Sequence, residues 1–125
     1  MRRVPEEPAA HVGMDAEGVV TQWDGGAEML FGYTPEQALA HAVADLIVPP
    51  ELRPAHTRGL RRVTAGGPSV LVGRRVEVPA LDAYGRSFRV ELTIVEVDEA
   101  PTRFRGTISV VGAHSATAEP ASAEL

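Results

Sequence analysis

"MDAEGVVTQWDGGAEMLFGYTPEQALA", residues 14–40, indicates the fold class, because the spacing of its apolar residues changes partway along the stretch. Two short apolar runs flank a turn at residues 15–18, which predicts a hairpin of two strands. After the hairpin, Asp24 can cap a short helix that ends before Gly32. "TPEQ", residues 34–37, then offers a threonine cap, a proline in the first turn and a glutamine three residues after the cap. The stretch therefore predicts a strand hairpin followed by several short helices.

A longer helix is predicted to begin near Pro50, within "PPELRPAHTRGLRR", residues 49–62. The residues that recur at spacings of four, four and three, and so share one helical face, are Leu52, His56, Leu60 and Val63. This spacing places a titratable ring in line with apolar side chains. His56 is therefore expected to face the core.

Beyond residue 67 the apolar period becomes two, which is the period of a strand with one buried face. The pattern predicts three long strands joined by turns at residues 82–85 and 98–101. The residues expected to face inward are Val70, Val72, Val76 and Val78, then Phe88, Val90, Leu92 and Ile94, then Phe104, Gly106, Ile108 and Val110. The predicted order is two strands, a helical insert and three strands.

The length of 125 residues fits one domain, which we place at residues 9–112. Residues 1–8 and 113–125 are predicted to be disordered, because they contain few large apolar residues to bury. The chain has no cysteine, which excludes disulfides, thiolate metal sites and covalent heme attachment. A net charge of −5 argues against a nucleic-acid surface. Neither a signal peptide nor a long apolar run is evident, so we expect a soluble cytoplasmic protein without a membrane partner.

Residues 14–40 resemble the opening of a PAS domain, with its strand pair, a Trp-Asn-Pro-like step and a Leu-Phe-Gly-Tyr helix end. The resemblance continues to Val111. It implies an α+β protein with the PAS fold, in which a five-stranded antiparallel sheet has helices packed on one face and a pocket lies between them. PAS domains are mostly sensor and interaction modules. The absence of cysteine excludes the light-sensing subfamilies that use one.

The stretch 49–62 is also similar to the long helix of the heme-binding PAS domains of oxygen-sensor kinases, the FixL-like group. This resemblance implies that His56 is the axial ligand of the iron of heme b and that Arg62 pairs with a heme propionate. Leu60 and Val63 would belong to the apolar slot around the porphyrin. The alternative for His56 is a core histidine hydrogen-bonded to a backbone carbonyl. Flavin is the second cofactor considered, with Trp23 as its neighbour.

"VGR", residues 72–74, resembles the segment that carries the distal arginine of that group, and "FRVELTI", residues 88–94, resembles its ligand-pocket strand. The resemblance implies that Leu92 and Ile94 lie over the iron. Strand alternation places Arg74 on the inward face, so we prefer it to Arg75 as the pocket arginine. A slip of one residue would reverse that choice.

Three functions follow from these observations. The first is a stand-alone heme sensor of a diatomic gas or of redox state, and the second is a colourless adaptor that binds a metabolite or a protein. The third is a small heme-dependent enzyme, although enzymatic activity is the less favoured alternative. No heptad pattern follows the last strand, so we expect action in trans on a protein partner. Outward-facing apolar residues predict a homodimer through the outer face of the sheet, and they are Val95, Val97 and Val111.

Overall fold

The strands of the chain form one sheet, in which five antiparallel strands take the order β2-β1-β5-β4-β3. A computed structural model describes residues 9–67, 72–99, 102–111 and 119–120. The strands are β1 Ala10–Asp15, β2 Val20–Trp23, β3 Arg75–Leu81, β4 Ser87–Glu99 and β5 Thr102–Val110. A two-residue segment, β6 Glu119–Pro120, pairs in parallel with β3 at the edge of the sheet. The predicted α+β architecture with a five-stranded antiparallel sheet is confirmed.

The helices lie between β2 and β3 in the chain, as the sequence predicts. They are α1 Gly25–Phe31, α2 Pro35–Ala38, α3 Val43–Ile47 and α4 Arg53–Thr64, with a 3₁₀ turn at Pro50–Leu52 before α4. Residues from the helices and from alternate strand positions form one apolar core. Among the described residues, no helix has the length and hydropathy that crossing a bilayer requires.

The predicted helix caps are confirmed, and each satisfies a backbone group that the helix itself leaves unpaired. The carboxylate of Asp24 accepts a hydrogen bond from the backbone N–H of Ala27 at 2.8 Å. At the other end of α1, Gly32 takes a left-handed conformation with φ 85°, which a glycine adopts without strain. Thr34 and Gln37 form a reciprocal capping box at the start of α2. These local interactions fix where the first two helices begin and where α1 ends.

Arg53 joins the third and fourth helices. Its Nε donates to the carbonyl oxygen of Ala44 at 2.8 Å and to that of Val48 at 3.0 Å. Ala44 is the second residue of α3 and Val48 directly follows its last residue, and the last four carbonyl groups of a helix have no intrahelical partner. The first residue of α4 is thereby tied to α3. This connection sets the position from which His56 projects, one turn further along α4.

The turn between β3 and β4, predicted at residues 82–85, is confirmed and is organised by Asp82. This carboxylate is only 4% exposed and accepts hydrogen bonds from the backbone N–H groups of Tyr84 and Arg86, each at 2.9 Å, and from Arg86 Nε at 2.8 Å. Burial acts to raise the pKa of Asp82, but the hydrogen bonds from Arg86 and Tyr84 outweigh it and lower the pKa. A charged carboxylate is therefore retained inside the turn.

The third strand begins later than the sequence predicts. A strand was expected from Val70, which lies outside the described residues, but β3 starts at Arg75. Gly73 has φ 84°, which turns the chain, and Val72 makes only an isolated bridge to Ile94. The inward alternation therefore does not extend back to Arg74.

Both candidate pocket arginines lie on the surface, so the expectation of an inward Arg74 is wrong. Arg74 is exposed, because it belongs to the turn that precedes β3. Arg75 is exposed as well, and its Nε lies 3.7 Å from a carboxylate oxygen of Glu91 on the outer face of the sheet. Neither Arg74 nor Arg75 therefore places a positive charge in the interior.

The N-terminal residues 1–8 lie outside the described residues, as does residue 112. So does the predicted tail at residues 113–125, apart from Glu119–Pro120. The expectation that both ends are disordered therefore stays a prediction.

The close approach of Gly26 to the chain before β1 leads to a prediction. A Cβ added at Gly26 would stand 2.1 Å from the carbonyl oxygen of Ala9, whereas a Cβ at Gly25 would meet nothing within 4 Å. Gly26→Ala should therefore lower the free energy of unfolding by ~1–3 kcal/mol, the usual cost of overpacking. Gly25→Ala is the matched control and should be neutral or slightly stabilising, because alanine favours helix. Urea denaturation of both variants measures the difference, and equal stabilities would show that α1 does not pack this closely on β1.

Candidate functional site

A cavity of about 100 Å³ lies between the inner face of the sheet and the helices. Its sheet side is lined by alternate residues of four strands: Val12, Met14, Val78, Ala80, Val90, Leu92, Ile94, Phe104, Gly106 and Ile108, together with Pro79. Its helix side is lined by Phe31, Val43, Ile47, Val48 and His56. The alternation that buries one face of each strand therefore also builds one wall of the cavity.

His56 is the polar side chain of the described lining, and it reaches the cavity from the first half of α4. The ring is partly buried, and no described residue makes a hydrogen bond to either of its nitrogens. The alternative of a core histidine bonded to a backbone carbonyl is therefore not what these residues show. Burial lowers the pKa of His56, because removing the ring from water disfavours its charged form. A neutral imidazole carries one N–H donor and one nitrogen acceptor, and the ring of His56 lines the cavity.

Leu92 and Ile94, which the sequence places in the pocket, both line the cavity from β4. Their side chains belong to the sheet wall, whereas His56 belongs to the helix wall. The structure therefore brings together three of the residues singled out from the sequence. The helical period places His56 on the inner face of α4, because residues four apart share a helix face. The strand period places Leu92 and Ile94 on the inner face of β4, because residues two apart share a strand face.

The other predicted residues of α4 lie outside the described lining of the cavity. Leu60 is buried and lies beside Gly18, where an added Cβ would stand 3.0 Å from Leu60 Cδ2. Val63 is partly buried and packs against the core. Arg62 is half-buried but does not line the cavity. Leu60 and Val63 attach α4 to the core. Contact of Leu60, Arg62 or Val63 with a cofactor stays a prediction.

The site matches a heme in the type of donor but not in the space. The type of donor fits, because a neutral imidazole with an uncommitted nitrogen can ligate iron. The space does not fit, since pockets for ligands of drug size have volumes of roughly 300–1,000 Å³ and this cavity has about 100 Å³. Arg74 is exposed and outside the described lining, so it supplies no charge there. The site as it stands accommodates a much smaller molecule than a porphyrin.

Trp23, considered as a neighbour of flavin, has a packing role in the structure. It is buried, and its ring centroid lies 5.8 Å from that of Phe31 and 6.2 Å from that of Tyr33. Its indole N–H donates to the carbonyl oxygen of Tyr33 at 2.9 Å. Within the described chain it is not among the residues that line the cavity. The tryptophan therefore holds the hairpin against the segment that follows α1.

Two aromatic residues of the cavity wall were not identified as site residues from the sequence. Phe31 and Phe104 are both fully buried and line the cavity from α1 and β5. The strand period predicts that Phe104 faces inward, whereas Phe31 is marked only as the end of the first helix. No pattern in the sequence distinguishes a core residue from one that borders a cavity. The described parts of the chain contain no cluster of three or more metal-ligating side chains. The described lining thus combines apolar side chains with one polar side chain, that of His56.

Comparison with known proteins gives relatives of the same fold. The chain is 34% identical over 82 residues to an uncharacterized protein of Azorhizobium caulinodans, an alignment that covers 66% of this chain and 11% of that protein. The chain thus spans about a tenth of that relative's length.

Solved structures of PAS domains are similar as well. That of a Colwellia psychrerythraea protein has a TM-score of 0.64 at 24% identity, covering 82% of this chain and 86% of that chain. That of the RpfR quorum-sensing receptor of Cronobacter turicensis, in complex with BDSF, has a TM-score of 0.63 at 16% identity, covering 88% and 100%. That of the Rhodobacter sphaeroides LOV protein has a TM-score of 0.60 at 19% identity, covering 88% and 63%. At these identities the similarity concerns the fold.

The family comparison covers nearly the whole globular part of the chain. The PAS fold matches residues 6–112, which include all five antiparallel strands, the four helices and the cavity between them. The chain belongs to the PAS fold family.

Proposed function

We propose that this chain is a ligand-binding sensor module that accepts a small apolar molecule between its sheet and α4 and signals to another polypeptide. One observation carries the proposal, which is the apolar cavity of about 100 Å³ inside the core. Protein interiors are normally packed as densely as organic crystals. At ~24 cal/mol per Å³, a cavity of this size leaves roughly 2 kcal/mol of packing free energy unrealised. A ligand that fills the cavity can recover that free energy as affinity.

The composition of the walls supports an apolar ligand. The sheet wall is made of aliphatic and aromatic side chains, and within the described lining no carboxylate, amine or guanidinium faces the cavity. A charged ligand would lose its hydration there without gaining a counterion. A PAS domain of similar fold, that of RpfR, has been solved with BDSF and with C12:0. Small molecules bound to a domain of this fold are consistent with the role proposed here.

Benzene serves as a probe of the cavity, because it matches the apolar walls and needs no hydrogen bond. Benzene at about ten times its Kd should stabilise the protein by ~1.4 kcal/mol and raise Tm by about 5 °C. Ala80→Leu, which enlarges a buried side chain of the cavity wall, should remove this response. Thr107→Leu enlarges an exposed residue of β5 and should retain it. Differential scanning calorimetry gives the shifts, and no shift in the wild-type protein would refute a ligand-binding cavity.

Heme is the second candidate, and it is favoured by the uncommitted ring nitrogens of His56 on the cavity wall. It requires α4 to move away from the sheet, because the cavity is too small for a porphyrin. Protein expressed with a heme precursor should then show a Soret band that His56→Ala abolishes. His41→Ala, which changes an exposed histidine, is the control and should leave the spectrum unchanged. A colourless wild-type protein, or an unaltered spectrum of His56→Ala, excludes axial ligation by this histidine.

We also propose that the module is a homodimer through the outer face of the sheet. Val95 and Val97 are 42% and 40% exposed and point away from the core on β4, and Val111 is partly exposed. Water-exposed valines on neighbouring positions of one strand face are typical of a contact surface. Sedimentation should show a dimer in the micromolar range for the wild-type protein and a monomer for Val95→Glu. A wild-type protein that stays monomeric at high micromolar concentration contradicts the dimer.

A further inference from the structure

The position of His56 constrains the chemistry of the cavity ligand. The ring lines a cavity whose other described lining side chains are apolar, and no described residue bonds to its nitrogens. No described side chain has a fully enclosed polar atom without a partner, so each ring nitrogen keeps some accessible surface. A polar atom beside apolar walls still gains stability from a hydrogen-bond partner. Because the protein supplies none from the described residues, a ligand that brings one polar group to this wall gains more than an entirely apolar ligand of the same size.

The size and the aromatic content of the walls constrain the rest of the ligand. A cavity of about 100 Å³ is on the scale of those known to bind a single benzene ring, which are roughly 150 Å³ in engineered cores. Phe31 and Phe104 border it from opposite walls. Aromatic rings prefer offset or edge-to-face contacts with one another, which adds to the stabilisation that burial provides. One ring therefore suits both the volume and the walls.

The absence of charged side chains in the described lining constrains the charge of the ligand. A carboxylate or an ammonium group would find no counterion among these residues, so the ligand is uncharged. Neutral His56 can accept a hydrogen bond through one nitrogen. A hydroxyl group directly on the ring is the smallest substituent that can donate this bond without adding charge.

We propose that the cavity binds an uncharged, single-ring phenol, whose hydroxyl group donates a hydrogen bond to the unprotonated ring nitrogen of His56. This inference rests on the proposed function, since it specifies the ligand of the same cavity. The ring of the phenol lies against the sheet wall, and its oxygen points to α4. His56 thereby selects among apolar rings that fit the space equally well.

The test compares phenol with benzene in two variants by isothermal titration calorimetry. Wild-type protein should bind phenol about fivefold more tightly than benzene, as expected for one net hydrogen bond. His56→Leu keeps an apolar side chain of similar reach but removes the acceptor. It should bind benzene at least as tightly as the wild-type protein and lose the preference for phenol. His41→Leu removes an exposed histidine and should preserve the preference.

A second measurement keeps the test decisive if His56→Leu does not fold. In wild-type protein, phenol should shift the ¹⁵N resonance of the accepting nitrogen of His56, and benzene should shift it much less. Equal affinities for phenol and benzene, or a preference that survives His56→Leu, overturn the inference and leave the ligand-binding cavity intact. Failure of both probes to bind overturns the proposed function together with the inference.

Discussion

The carboxylate of Asp24 controls the point at which the chain leaves the sheet and begins to cover it. One oxygen accepts hydrogen bonds from the backbone N–H groups of His11 and Ala27, and the other lies 2.7 Å from His11 Nδ1. Burial acts to raise the pKa of Asp24, but these bonds outweigh it and lower the pKa, so the carboxylate is charged at neutral pH. The first strand and the first helix are thereby joined at one group. Everything that follows in the helical insert is placed relative to this junction.

The insert covers the sheet with short helices, which explains why a cavity forms beneath it. Only α4 has twelve residues, whereas the first three helices have seven, four and five. Short helices present few side chains to the sheet, so packing of the core depends on a few large residues such as Phe31 and Ile47. Between these and the strand residues about 100 Å³ is left, bordered by His56. The candidate site thus results from the way in which the short helices pack on the sheet, and no single sequence motif forms it.

Local chemistry in the sequence predicted most of this architecture. Asp24, Gly32 and the Thr34–Gln37 pair mark helix ends through interactions within a few residues, and those interactions are present. The period of two predicts a strand that continues through Gly73. The positive φ of Gly73 breaks the strand there, so β3 starts later, at Arg75.

Long-range features of the site were beyond such reasoning. Periodicity placed His56, Leu92 and Ile94 inward, and all three line the cavity. The volume between them depends on how far α4 stands from the sheet, which no local pattern encodes. The distance between α4 and the sheet also determines whether the space suits a heme or a single small ring. The close contact of Gly26 with Ala9 is another such feature, because it joins segments that are remote in the chain.

The fourth strand has one face on the cavity and one face on the surface, so it lies between the two proposed binding sites. Leu92 and Ile94 border the cavity, while Val95 and Val97 lie exposed on the opposite side of the same backbone. A molecule that bound one position of this strand more tightly than another would change the surface offered on the other side. Coupling of this kind would be reciprocal, so a protein that docked on the outer valines would alter the ligand affinity of the cavity by the same factor. A partner protein would then act as an effector of ligand binding, in the same measure as the ligand acts on the partner.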